Sequence, residues 1–220
     1  MPPVQLLSVN VAQPRSVPYR GRTVRTAIFK EQVLLRVRVG KLNIEGDRQA
    51  DLRVHGGPDQ AVYAYDLSGY EHWRRELSRD LPFGQLGENL TVSGLPETEV
   101  SIGDIYRVGG ALLQVTQPRV PCAKLAMRME SLEFGKAFLA SGRTGYYLRV
   151  LEEGEIGAGD PIERVAADPR GVNVSEIVRL LYNRPADPEA LRRALKIESL
   201  SESLRASLER RLESGRGGGL

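Results

Sequence analysis

Cysteine occurs once in this 220-residue chain, at position 122, which excludes an internal disulfide and suits a reducing compartment. With only two histidines besides, an ordinary four-ligand zinc site is out of reach. One thiol also cannot hold an iron–sulfur cluster. Long apolar runs are missing too: none approaches the roughly 18 residues that a membrane span needs. Met1-Pro2-Pro3-Val4-Gln5 lacks the charged and then apolar regions of a secretory signal. The expectation is therefore a cytoplasmic protein with no membrane partner. A net charge of +3 is too small to argue for nucleic acid. No P-loop or dinucleotide fingerprint is present either, because Gly142-Arg143-Thr144-Gly145 is not followed by the required lysine and hydroxyl.

What charge there is lies unevenly. Residues 1–40 hold Arg15, Arg20, Arg22, Arg25, Lys30, Arg36 and Arg38 against Glu31 alone, a local charge of +6. Arg36 and Arg38 alternate with Leu35, Val37 and Val39, which predicts the wet face of a strand. Period-two alternation or β-branched enrichment predicts strands at 5–11, 22–29, 33–39, 61–65, 146–151 and 161–165. Gly109-Gly110 joins two more, 104–108 and 111–116, as a two-residue hairpin. Strands in this number point to a barrel or sandwich rather than a βαβ sheet.

Helices interrupt the strands. Asp66 caps a helix over 67–77, with Leu67, Tyr70, Trp73 and Leu77 on one face. A second helical stretch runs from 122 to 140, broken near Gly135, and puts Cys122 at a helix N-terminus. After Asp168-Pro169 the pattern becomes helical throughout, with a short amphipathic helix carrying Val174, Ile177, Val178 and Leu181, a stretch opened by Asp187-Pro188, and one capped by Ser201. The predicted organisation is a mainly β domain over 1–167, a three-helix domain over 172–213 and a frayed tail over 214–220.

The chemistry centres on Arg119-Val120-Pro121-Cys122-Ala123-Lys124. Pro118 and Pro121 restrict the segment, and Arg119 and Lys124 favour thiolate, the form that attacks electrophiles and binds soft metals. Other polar segments are Glu45–Asp51, the Arg53-Val54-His55-Gly56-Gly57 run, Gly87-Glu88-Asn89 and Lys30 at a strand end. Loops on one rim would gather them, giving Arg48, Arg53, Arg119 and Arg143 as forks for phosphate or another oxyanion. Taken singly, His55 reads equally as a hydrogen-bonded structural histidine, and Asp47 and Glu88 as partners of the arginines.

Taken in order, these segments strongly resemble the MOSC domain family, with a three-helix extension at the C-terminus. The carrying motifs are Glu45–Asp51 into Val54-His55-Gly56-Gly57-Pro58, Phe83-Gly84 with Gly87-Glu88-Asn89-Leu90, Ile102-Gly103-Asp104, Gln114–Lys124 and Gly142–Tyr146. The resemblance implies a β-barrel whose rim binds the molybdenum cofactor, with Cys122 as the protein ligand to molybdenum. It implies that Arg48, Arg53, His55, Asn89, Arg119, Lys124 and Arg143 bind the cofactor, and that Cys122, His55 and Lys30 are catalytic. It further implies reduction of N-hydroxylated small molecules, of the hydroxylaminopurine type, to amines. Electrons would come from a partner, expected to be a flavoprotein reductase. A family-level association with pyridoxal phosphate binding comes with the resemblance, assigned to no residue here.

Rival readings exist. A cofactor carrier or sulfur-relay module would use the same cysteine without turnover. A metal-free hydrolase would pair Cys122 with His55. The Arg216-Gly217-Gly218-Gly219 end hints at RNA, for which disorder is the better reading.

Overall fold

The computed structural model describes residues 3–51, 56–183 and 185–216. Its strands are β1 (Gln5–Val11), β2 (Arg15–Tyr19), β3 (Arg22–Thr26), β4 (Glu31–Val33), β5 (Val37–Val39) and β6 (Val62–Asp66). They continue with β7 (Leu90–Ser93), β8 (Ile105–Val108), β9 (Ala111–Pro118), β10 (Tyr146–Glu152), β11 (Gly154–Ile156) and β12 (Ile162–Ala166). The helices are α1 (Leu67–Leu77), α2 (Ala123–Arg128), α3 (Phe134–Ala140), α4 (Val174–Tyr182), α5 (Pro188–Leu195) and α6 (Glu202–Arg216).

Eight strands make one mixed sheet in the order β12-β8-β9-β10-β6-β7-β1-β4, and the pairs β5–β11 and β2–β3 stand beside it. The order of the named strands is open, and among the described residues a single antiparallel bridge, Gln5 to Pro161, joins its β1 and β12 sides, so the expected barrel is met as a curled sheet. The curl brings β1 against the lead-in to β12. Leu6 N–H donates to the Asp160 carbonyl at 2.9 Å, and Ile162 N–H to the Val4 carbonyl at 3.1 Å.

Two expectations need correcting. β6, α1 and β7 form a βαβ unit, with β6 and β7 parallel. The sequence hid it because all four residues of β7 are buried, leaving no alternation to read. The stretch 122–140 is two short helices, and it breaks at 129–133 rather than at Gly135, which lies inside α3. The break is made by Glu130, a non-glycine residue with φ of 57°. Elsewhere β1 and α1 fall on their predicted residues, and Asp66 caps α1 by accepting from Ser68 N–H at 2.9 Å.

Two apolar cores result. The larger is mostly aliphatic and joins the sheet interior to the C-terminal helices, running from Leu6 and Leu113 to Ile177, Leu191 and Leu208. The smaller is aromatic, built around Tyr63, Tyr65, Tyr70, Trp73, Phe134 and Phe138. Its polar handles are used: Trp73 Nε1 donates to Tyr65 Oη at 2.8 Å, and Tyr65 Oη to the Arg143 carbonyl at 3.0 Å.

Candidate functional site

The aromatic core forms the floor of a cleft of about 640 Å³, counted out to its open mouth. The segment after β3 reaches it first. Lys30 follows the strand, and its carbonyl is pressed by the turn at Gly84, where an added Cβ would lie 2.8 Å from that oxygen. Gly84 and Gly87 both sit at φ of +84°, and a Cβ on Gly87 would meet Ile28 at 2.8 Å. Side chains at either position would push the 84–89 turn off the 28–30 segment, which explains two glycines of the motif.

The Lys30 ammonium is 9% exposed and donates to Asp47 Oδ1 at 2.5 Å. Asp47 also accepts from Ala12 N–H at 2.8 Å and, through Oδ2, from Asn89 Nδ2 at 2.9 Å. Asn89 in turn accepts from Tyr63 N–H at 3.2 Å and donates to the Asn10 carbonyl at 3.3 Å. A second branch centres on Glu88, which accepts from Tyr70 Oη at 2.5 Å, Gly84 N–H at 2.6 Å and Thr91 Oγ1 at 2.8 Å. Burial lowers the Lys30 pKa, with the Asp47 charge and hydrogen bond opposing it. Burial likewise raises that of Glu88, against its three donors.

Arg119 leaves the end of β9 and turns inward, 6% exposed, with its guanidinium 5.0 Å from the Tyr63 ring centre. Tyr63 and Tyr147 face each other in register on β6 and β10. Burial raises the pKa values of both phenols, with the Arg119 charge opposing it. Burial also works against the Arg119 charge, and Tyr63, Tyr147 and Cys122 more than offset it, so its pKa rises. Its Nη1 is buried without a hydrogen-bond partner among the described residues. A buried guanidinium on the wall of a cleft, with one nitrogen unpartnered, suits an anionic ligand.

Of the residues predicted from sequence, Lys30, Arg48, Asn89, Arg119, Cys122 and Lys124 all line this cleft. Arg53 and His55 lie outside the described residues. Arg143 is not in the lining; its backbone carbonyl serves Tyr65, and its charge acts on Glu97. Asn89 spends its amide inside the protein, so its part is to hold Asp47. Among the described residues Glu88 and Asp47 do not pair with arginines as expected; Tyr70 and Lys30 reach them instead. Sequence reasoning missed Tyr63, Tyr147 and Gln60 as lining residues. Period-two counting along β6 and β10 was the one signal for the two tyrosines. Cys122 is half-buried at the head of α2. That helix has only six residues, so its dipole is smaller than the one a helix over 122–140 would have supplied.

Comparison with known proteins agrees with this geometry. A family model for the MOSC domain matches residues 51–163, and one for the YiiM-like 3-alpha helix domain matches residues 172–215. The chain is 42% identical over 202 residues to the uncharacterized protein YflK of Bacillus subtilis, covering 92% of this chain and 91% of that one. It is 35% identical over 166 residues to a protein of Gibberella moniliformis named Reductase, covering 72% of this chain but 29% of that one. The crystal structure of YiiM from Geobacillus stearothermophilus superposes with a TM-score of 0.82 at 34% identity, covering 96% of this chain and all of that one. The curled sheet, the cleft at its rim and the helices behind it thus belong together, and the chain is a member of the MOSC domain family in its YiiM-like form, with a C-terminal three-helix domain.

Proposed function

We propose that this protein is a molybdenum-cofactor-binding oxidoreductase that reduces N-hydroxylated compounds to amines. The observation that carries the reading is the single cysteine on the wall of a cleft whose charged side chains, Asp47 apart, are the cations Lys30, Arg48, Arg119 and Lys124. Arg48, Arg119 and Lys124 suit the phosphate of a pterin, and the unsatisfied Nη1 of Arg119 is a donor waiting for an acceptor. Cys122 is the soft donor suited to a heavy transition metal. When bound, the cofactor supplies two-electron oxygen-transfer chemistry. The relative named Reductase supports the reaction class.

The chain's own residues have three tasks. Arg48, Arg119 and Lys124 bind and orient; the tyrosine floor excludes water; Lys30 handles a proton. The balance is R–NH–OH plus two electrons and two protons giving R–NH₂ and water, with the N–O bond broken. Burial makes the Lys30 Nζ proton easier to release than that of an exposed lysine, and Asp47 holds the ammonium in place. The electrons come from a donor protein of the flavoprotein class, since one cysteine offers no cluster of its own.

The test is molybdenum per chain in protein from a cofactor-making host, together with hydroxylaminopurine reduction by an artificial donor. Near-stoichiometric metal and turnover are expected, with both lost in Cys122→Ser while the fold is kept. A metal-free wild type, or a fully active Cys122→Ser, overturns the proposal.

A further inference from the structure

Gly142-Arg143-Thr144-Gly145 is a motif whose arginine does not line the cleft, so another use must account for the turn it makes. Its backbone carbonyls receive donors from the tyrosine floor and from Arg119. Tyr65 Oη donates to the Arg143 carbonyl at 3.0 Å, and Tyr63 Oη to the Thr144 carbonyl at 2.9 Å. Arg119 N–H donates to the Gly145 carbonyl at 3.1 Å. The turn is also pressed onto β6: Gly145 sits at φ of +67°, and an added Cβ would overlap the Ala64 carbonyl. Arg119 thus takes its place from this turn twice. One link is its own N–H, and the other is the Tyr63 ring, whose centre lies 5.0 Å from the guanidinium carbon.

Glu97 holds the remaining group of the turn. Its Oε1 accepts from Gly145 N–H at 2.7 Å, so the Thr144–Gly145 peptide is clamped at both ends, by Tyr63 at the carbonyl and by Glu97 at the N–H. Hydrogen bonds in series through one peptide polarise each other. Glu97 is 4% exposed, and its burial is unfavourable; the Gly145 bond is one of the contacts that offset it. Two charges bear on it: Arg143, in the turn itself, favours the carboxylate, and Asp66, at the end of β6, opposes it. The segment that carries Glu97 is fixed independently of the cleft. The Glu97 carbonyl accepts from Ser175 N–H of α4 at 3.0 Å, the Val100 carbonyl from Val174 N–H at 2.9 Å, and Asp66 Oδ2 from Leu95 N–H at 2.8 Å.

We propose that Glu97 is a positioning residue for Arg119: by fixing the Thr144–Gly145 peptide it sets the Tyr63 ring and the Arg119 backbone, and with them the grip of the cleft on an oxyanion. The proposal rests on the anion-binding reading of the cleft. Glu97 itself does not line the cleft and acts only through the turn. Its attachment to α4 gives the three-helix region a route to the same guanidinium.

Sulfate is the probe, because it keeps its charge across neutral pH. Full-length, nitrogen-15-labelled protein is titrated with sodium sulfate and followed by NMR. Glu97→Ala is expected to weaken sulfate binding by about fivefold or more, and Glu97→Gln, which keeps an acceptor for Gly145 N–H, to stay within about twofold of wild type. Arg119→Met keeps the buried stem without its charge and is expected to remove most of the affinity. Adding Glu97→Ala to Arg119→Met is expected to cost nothing further, a non-additivity that a general loss of stability would not produce. In wild type, sulfate is expected to shift the Gly145 amide resonance, a readout that needs no variant. No saturable sulfate binding by wild type overturns the anion-binding reading, and the inference with it. Wild-type binding with an unmoved Gly145 resonance overturns the inference alone. So does a Glu97→Ala that binds as wild type does, or a further loss when it is added to Arg119→Met.

Discussion

Lys30 and Arg36 lie six residues apart in the same basic stretch, and both end in an ion pair, yet they occupy opposite environments. Lys30 and Asp47 are 9% and 2% exposed, enclosed by Asn89 and the backbone of Ala12. Arg36 is half-exposed and grips Asp160 through two bonds of 2.7 and 2.9 Å, and Arg38 reaches Glu153 at 2.6 Å from a still wetter position. The outer pairs follow from alternation: a wet strand face opposite acidic residues of the 153–160 segment. The inner pair follows from the turn at Gly84 covering the chain after β3. Local charge density is the same in both places, so the surrounding acceptors and the dielectric decide what each cation does.

The largest effect expected from this contrast is at Asp47. Asp47→Ala leaves a buried ammonium without its carboxylate, so a loss of about 3–5 kcal/mol in urea unfolding is expected. Lys30→Met is expected to cost less, because Asp47 keeps Ala12 N–H and Asn89 as donors. Equal costs would show that the pair is not the organising contact.

Glu97 sharpens the comparison, being a buried carboxyl with no salt bridge among the described residues. Burial raises its pKa to about 7, against its hydrogen bond from Gly145 N–H at 2.7 Å. A raised folded value means that its stabilising contribution is complete below about pH 4.5 and is lost as pH rises through about 7. Glu97→Gln is expected to remove that slope, worth up to about 3 kcal/mol in wild type, measured by denaturation across this range. A variant with the same slope as wild type would refute the assignment. The smallest effect is expected at Arg36→Ala, a change too small to resolve by denaturation and smaller still at high salt. A large loss there would remove the distinction between the two pairs.

Much of this was legible in the sequence because periodicity and capping are local. β1, α1, the Gly109-Gly110 hairpin and the three C-terminal helices follow from alternation, an Asp66 cap and an Asp187-Pro188 start. β2 was not legible, since its residues Arg15–Tyr19 bury an apolar face only in part, through Val17 and Tyr19. The site was legible as a set of residue types: the cation-flanked cysteine and Lys30 do share one cleft. Which carboxylate meets which cation was not, because the Lys30–Asp47–Asn89 chain joins three separate segments. Arg143 shows the reverse failure, a glycine-bracketed arginine that does not line the cleft as Arg119 and Cys122 do.

The larger core holds Leu6 near one end of the chain and Leu208 near the other. During synthesis, β1 must therefore wait with its apolar face uncovered until residues 157–162 arrive to stitch it and α6 arrives to seal the interior. Assembly of this kind is dominated by sequence-distant pairings, which makes it slow and leaves the nascent chain exposed to aggregation.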